Sequence, residues 1–182
     1  GFSQQLYGPQ TMDECRFYLP NPPNWCSADS GNGLCANGPF CQGGKIVGNN
    51  PADTSKAAPP TYAADWVTHL RARHGTAAQG GVRYFSLDNE PMLWNSTHRD
   101  VHPVAPTYDE VWTRGRDRAL AIKAVEPGAK IFGPVTWGWC DYWTSAADAA
   151  LGNCFEGPDR TAHGGTPFVD WYLKRVCTDI GP

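Results

Sequence analysis

Val82-Arg83-Tyr84-Phe85-Ser86-Leu87-Asp88-Asn89-Glu90-Pro91 changes character halfway along. Its first half is aromatic and apolar, the composition of a strand. The second half is polar and ends in proline, which has no N–H for a ladder and biases the preceding residue away from helix. A strand is therefore expected to stop near Leu87, with Glu90 extended just past its end. In parallel α/β folds, side chains converge on ligands at the C-terminal ends of strands. A carboxyl there, an amide before it and Trp94 close behind suit sugar chemistry. Asp88 is read as a brace for this loop or for Asn89.

The pattern on either side supports an α/β fold. Thr61 reads as an N-cap, followed by an apolar helix face of Ala63, Trp66, Val67 and Leu70 that ends at Gly75. Thr107 and Glu110 have capping-box spacing at the head of a second helix, which Pro127-Gly128 stops. Lys130 to Val135 reads as a second strand, running into Thr136-Trp137-Gly138-Trp139. Thr166-Pro167 opens a last helix with Val169, Tyr172, Leu173 and Val176 on one side. Alternation of helix and strand predicts parallel βαβ units. Two strands cannot close a barrel and are marginal as a sheet alone, so residues 1–182 are expected to be an internal portion of a larger (β/α) domain, loop-rich over 1–60 and built of βα units over 61–182.

Residues 1–60 show little periodicity and many turn-forming clusters. Cys15, Cys26, Cys35 and Cys41 lie among Pro, Asn and Gly, in a segment read as too polar for a core of its own. No pair of the seven cysteines has C-x-x-C spacing. The early four are expected to form disulfides that staple a long loop, in any of three pairings, and so to imply an oxidising, secreted setting. An odd total leaves at least one cysteine without a partner in the chain.

Net charge of -3 gives no reason to expect nucleic acid or an anionic membrane as partner. No apolar run approaches the roughly 20 residues of a membrane-spanning helix. There is no phosphate-binding glycine loop and no nucleophile elbow, and no cofactor is expected. His98, Asp100 and His102 alternate in a way that can hold a metal, although such loops more often order themselves through hydrogen bonds, and no metal is assigned. Arg71, Arg73 and His74 read as a solvated helix end, and His163 offers nothing specific.

Glycoside hydrolysis needs two carboxyl groups flanking the bond, one to donate a proton and one to attack or to activate water. Glu90 fits the acid/base role by placement. Asn89 is suited to bond a sugar hydroxyl, and Trp94, Trp137 and Trp139 to stack on sugar faces, although core packing is the commoner role of any single tryptophan. No second carboxyl follows a predicted strand; Glu110, Glu126 and Glu156 do not.

Tyr84 to Trp94, Ser96 to Pro103, Pro106 to Glu110, Gly133 to Trp139 and Asp159 to Gly165 together resemble the catalytic domain of glycoside hydrolase family 44. Tyr7-Gly8-Pro9-Gln10 and Asn49 to Thr54 are similar too, and the likeness is weakest over 13–45. The resemblance implies part of a (β/α)8 TIM-type barrel, around its fourth and fifth strands, acting on β-1,4-glucans such as cellulose or xyloglucan with retention of configuration. Glu90 matches the family's acid/base, and the family's nucleophile aligns with nothing in this chain. A secreted hydrolase, monomeric at full length and inactive as this portion alone, is the expectation. A non-catalytic carbohydrate-binding protein on a truncated barrel and a disulfide-rich structural domain are the rivals.

Overall fold

A computed structural model describes residues 1–87 and 89–180; Asp88, read above as a brace, lies outside them. The chain divides into two compact units, 1–57 with 96–103, and 58–95 with 104–182.

The first unit is built from short pieces: β1 (Phe2–Ser3), helix α1 (Gln4–Tyr7), β2 (Ser30–Gly31), β3 (Cys41–Gln42) and β4 (Lys45–Ile46). β1 pairs antiparallel with β2, and β3 with β4. Contrary to the expectation from its polar composition, this unit has a small core of its own, in which Phe2, Tyr7, Cys35 and Ile46 are buried. Long-range contacts compensate for the lack of periodicity. Arg99 stacks over the Phe2 ring at 4.9 Å and donates to the carbonyls of Ile46 and Gly33 at 2.7 and 3.0 Å. The Tyr7 hydroxyl bonds the Asp53 carboxylate and accepts from the Asn50 N–H at 2.9 Å. The disulfides are Cys15–Cys26 and Cys35–Cys41, the second inside this core. Cys140 pairs with Cys154, and Cys177 is free and exposed.

The second unit carries helix α2 (Pro60–His74), β5 (Tyr84–Ser86), the first two residues of α3 (Trp94–Thr97), α4 (Tyr108–Val125), β6 (Lys130–Phe132), α5 (Ala146–Ala149), α6 (Pro158–Ala162) and α7 (Phe168–Asp179). β5 and β6 are parallel, with Tyr84, Phe85 and Ser86 opposite Lys130, Ile131 and Phe132. The alternation of strand and helix thus gives the expected parallel pair; among the described residues the sheet has two strands and is not a closed barrel. Phe85 and Ile131 pack with Val67, Ile122 and Ala129, so α2 and α4 cover one face. On the other face, Tyr84 and Phe132 are exposed, their rings 5.7 Å apart.

Helix boundaries follow local chemistry, with corrections. α2 starts at Pro60 with Pro59 as N-cap, and Thr61 is already helical. Thr107 does cap α4, its hydroxyl accepting from the Glu110 N–H at 3.3 Å, while the Glu110 carboxylate accepts from Arg114 at 2.7 Å. Arg71 is not a solvated end: its guanidinium lies 3.2 Å from the buried carboxylate of Glu126, an ion pair rather than an aligned hydrogen bond. Glu126 also accepts from the N–H groups of Ala77 and Gly128, both at 3.1 Å, pinning the turn that leads into β6.

A second cluster joins α4 to α7 through Tyr108, Val111, Trp112, Phe168 and Tyr172. Gly115 permits it, since a Cβ there would stand 2.6 Å from the Tyr172 hydroxyl. Burial pushes the Tyr172 phenol up to about 12 and lifts that of Tyr108 above the usual range. His163, to which sequence reading gave no role, stacks on Tyr108 with ring centres 4.8 Å apart. Its neighbour Asp159 accepts from the Tyr108 N–H at 2.9 Å, at the start of α4.

Candidate active site at the ends of the parallel strands

Because β5 and β6 run parallel, the segments that leave them emerge at one end of the sheet. The ladder continues beyond the strands: the Leu87 N–H donates to the Phe132 carbonyl at 2.8 Å, Asn89 bridges to Val135, and the Glu90 N–H donates to the Val135 carbonyl at 2.7 Å. This register places Asn89 and Glu90 beside the chain that runs into Trp137. Gly133 is required at the crossing. It has φ +142°, and a Cβ there would lie 2.7 Å from that of Leu87.

Glu90 is half-buried, and its backbone is not extended as expected. It is left-handed, with φ 52° and ψ 60°. Among the described residues it is the one non-glycine with positive φ. Two hydrogen bonds hold it there. Its N–H is taken by Val135, and its carbonyl accepts from the Leu93 N–H at 2.9 Å as the 3-10 turn Pro91–Leu93 begins. Those bonds outweigh the pre-proline preference for extended backbone. What the sequence suggested as loop from Met92 onward is this turn followed by α3.

Asn89 is exposed. Trp94 is only 9% exposed, and its indole N–H reaches the Asn89 carbonyl at 3.3 Å. Trp94 therefore sits behind the loop as a packed brace, with little ring face left for a ligand. Trp137 and Trp139 differ from it: they are 48% and 65% exposed. Trp139 is edge-on to Trp143 at 5.3 Å and lies 6.3 Å from Tyr142. Beneath them is Asp141, which sequence reading passed over. Its carboxyl is 2% exposed and accepts from the Trp137 N–H at 2.9 Å. Burial pushes this carboxyl up to about 6, and the Trp137 N–H pulls the other way. Its burial depends on what packs around it, and no local sequence signal marks it.

Elsewhere, the Asp100 carboxylate accepts from the Gly1 amino group at 2.8 Å, and the His98 carbonyl accepts from the His102 N–H at 2.7 Å. Among the described residues, no group of three or more His, Cys, Asp and Glu side chains is arranged to hold a metal ion. No described helix is long and apolar enough to cross a membrane.

Half-buried Glu90 and the two exposed indoles thus leave the common end of the parallel strands. The chain belongs to glycoside hydrolase family 44, whose family model it matches over residues 1–180. A solved bifunctional glucanase-xylanase from a metagenome library is 40% identical, with a TM-score of 0.80 over 96% of this chain and 32% of its own. A family 44 xyloglucanase from Paenibacillus polymyxa, solved with xyloglucan, is 34% identical with a TM-score of 0.53, covering 62% of this chain and 21% of its own. Endoglucanase A of Paenibacillus lautus is 34% identical over 116 residues, which are 63% of this chain and 16% of that protein. The chain thus spans a third or less of the length of these relatives.

Proposed function

We propose that this chain is the acid/base-bearing portion of a secreted, retaining endo-glycoside hydrolase acting on β-1,4-glucans, cellulose or xyloglucan among them. Its parallel pair belongs to a (β/α)8 barrel that the complete protein closes, with the exposed face of Tyr84 and Phe132 turned toward the remaining strands. Support comes from one observation above all: Glu90 and the two exposed indoles leave the same end of β5 and β6, tied by the bond from the Glu90 N–H to the Val135 carbonyl.

In the mechanism, the Glu90 carboxyl protonates the departing glycosidic oxygen and then, as carboxylate, activates the water that releases the product. Asn89 bonds a hydroxyl next to the reacting carbon. Trp137 and Trp139 hold glucose rings by their C–H faces, and Trp94 braces Asn89 from behind. Retention requires a second carboxyl about 5–5.5 Å from Glu90 as nucleophile, supplied by another part of the complete protein. The disulfides suit an extracellular protein, which works as a monomer.

The test is hydrolysis of xyloglucan and carboxymethylcellulose by the full-length protein and its Glu90→Gln variant, with residues 1–182 alone as control. Turnover by the full-length protein, a loss of at least about 100-fold in Glu90→Gln, and inactivity of the isolated portion are expected. Binding without turnover at full length would instead make this a carbohydrate-binding protein. Turnover by the isolated portion that Glu90→Gln abolishes would put the nucleophile inside it.

A further inference from the structure

We propose that the Cys140–Cys154 disulfide and the buried carboxyl of Asp141 form a positioning device that holds Trp137 and Trp139 ready for a glucan chain. The inference rests on reading those indoles as sugar platforms and adds what keeps them in place. Both lie on the turn-containing segment between β6 and α5, outside the two apolar clusters of the unit. Large rings on an untethered loop would lose conformational freedom on binding, and that loss subtracts from affinity.

The turn is tethered twice. On the Trp137 side, Asp141 accepts from the backbone N–H at 2.9 Å with its carboxyl 2% exposed. A loop gains nothing from burying a carboxyl unless the group organises something; here it fixes the peptide from which one indole projects. On the Trp139 side, the next residue is Cys140, whose carbonyl accepts from the N–H groups of Trp143 and Thr144 at 2.9 and 3.0 Å. Its sulfur is bonded to Cys154. The far end of that bridge is anchored in turn, because Arg160 of α6 donates to the Phe155 carbonyl. Asp148 secures α6, accepting from the N–H groups of Asp159 and Arg160 at 3.0 and 2.8 Å. The Phe155 ring lies 6.1 Å from Trp143, which is edge-on to Trp139. Covalent bridge and ring stack therefore reach Trp139 from one anchored segment, and the hydrogen bond reaches Trp137 from below.

The experiment measures KM and kcat on soluble xyloglucan for the full-length protein. Trp139→Ala, the benchmark for the platform, is expected to raise KM. Asp141→Ala, the double variant Cys140→Ala/Cys154→Ala, and Phe155→Ala should each raise KM by about two- to tenfold, with kcat within about twofold of the parent. Asp141→Asn should return KM to near the parent value, since its amide oxygen can still accept from Trp137. If removing both cysteines prevents folding, Phe155→Ala and the Asp141 pair carry the test. If Trp139→Ala raises KM and the tether variants do not, the device is refuted and the platform stands. No effect of Trp139→Ala overturns platform and device together. A large loss of kcat in Asp141→Asn would make Asp141 a chemical participant and overturn the positioning role.

Discussion

Replacing Glu90 with asparagine is expected to stabilise the protein while removing the carboxyl on which the proposed chemistry depends. The reason is φ 52° and ψ 60° at this residue. Left-handed backbone costs an ordinary L-residue about 1–2 kcal/mol, and asparagine tolerates it far better. Glutamine keeps the length and backbone preference of glutamate, so Glu90→Gln retains the strain and isolates the loss of charge. Asparagine should recover about 1 kcal/mol relative to glutamine. Glycine removes the steric cost entirely but gives back about 0.5–1 kcal/mol in unfolded-chain entropy, and so should fall between them. With a urea dependence of about 2 kcal/mol per molar, the Glu90→Asn variant should unfold about 0.5 M later than Glu90→Gln. The assay is urea denaturation of the full-length protein followed by tryptophan fluorescence, alongside turnover, which both substitutions should abolish. Equal midpoints, or an earlier one for asparagine, would refute the claim that this position holds strain. A strained residue at a site of proposed chemistry, held by neighbours that over-determine it, is the pattern expected of preorganisation.

Asp141 supplies a pH prediction. Its folded pKa is raised to about 6 by burial, above the unfolded carboxylate value of about 4. Between these values the folded chain binds a proton that the unfolded chain does not. The group therefore favours folding most at low pH, and that contribution is lost as pH rises through the window, by on the order of 3 kcal/mol. Urea titrations at about pH 4 and pH 7 should show the stability of wild type relative to Asp141→Asn falling with rising pH; a constant difference would contradict the raised pKa. Glu126→Ala should cost about 2 kcal/mol, because it orphans the N–H groups of Ala77 and Gly128, while partly exposed Arg71 adds little; a change under 0.5 kcal/mol by chemical denaturation would deny it a structural role. Gly115→Ala should destabilise by about 1 kcal/mol, the clash with the Tyr172 hydroxyl outweighing the gain in helix propensity. A rise in the thermal midpoint of that variant would show that α4 and α7 have room to spare.

The sequence by itself determined whatever depends on neighbours along the chain. Strand-like Tyr84 to Ser86, the Thr107 cap and the alternation of helix with strand all read correctly, because caps and periodicity are local. The exposed carboxamide at Asn89 and the indoles at Trp137 and Trp139 were legible as candidates for the same reason. Only the tertiary structure decided which groups meet. It separated Trp94, buried behind Asn89, from Trp137 and Trp139, which composition made equivalents. It turned Glu90 left-handed, because the carbonyl that fixes the Glu90 N–H belongs to Val135, 45 positions along the chain. It paired the cysteines, gave a polar amino-terminal segment a core, and put Glu126 against Arg71 and Asp141 under Trp137. Burial and pairing are properties of what folds against a residue, and a linear pattern does not contain them.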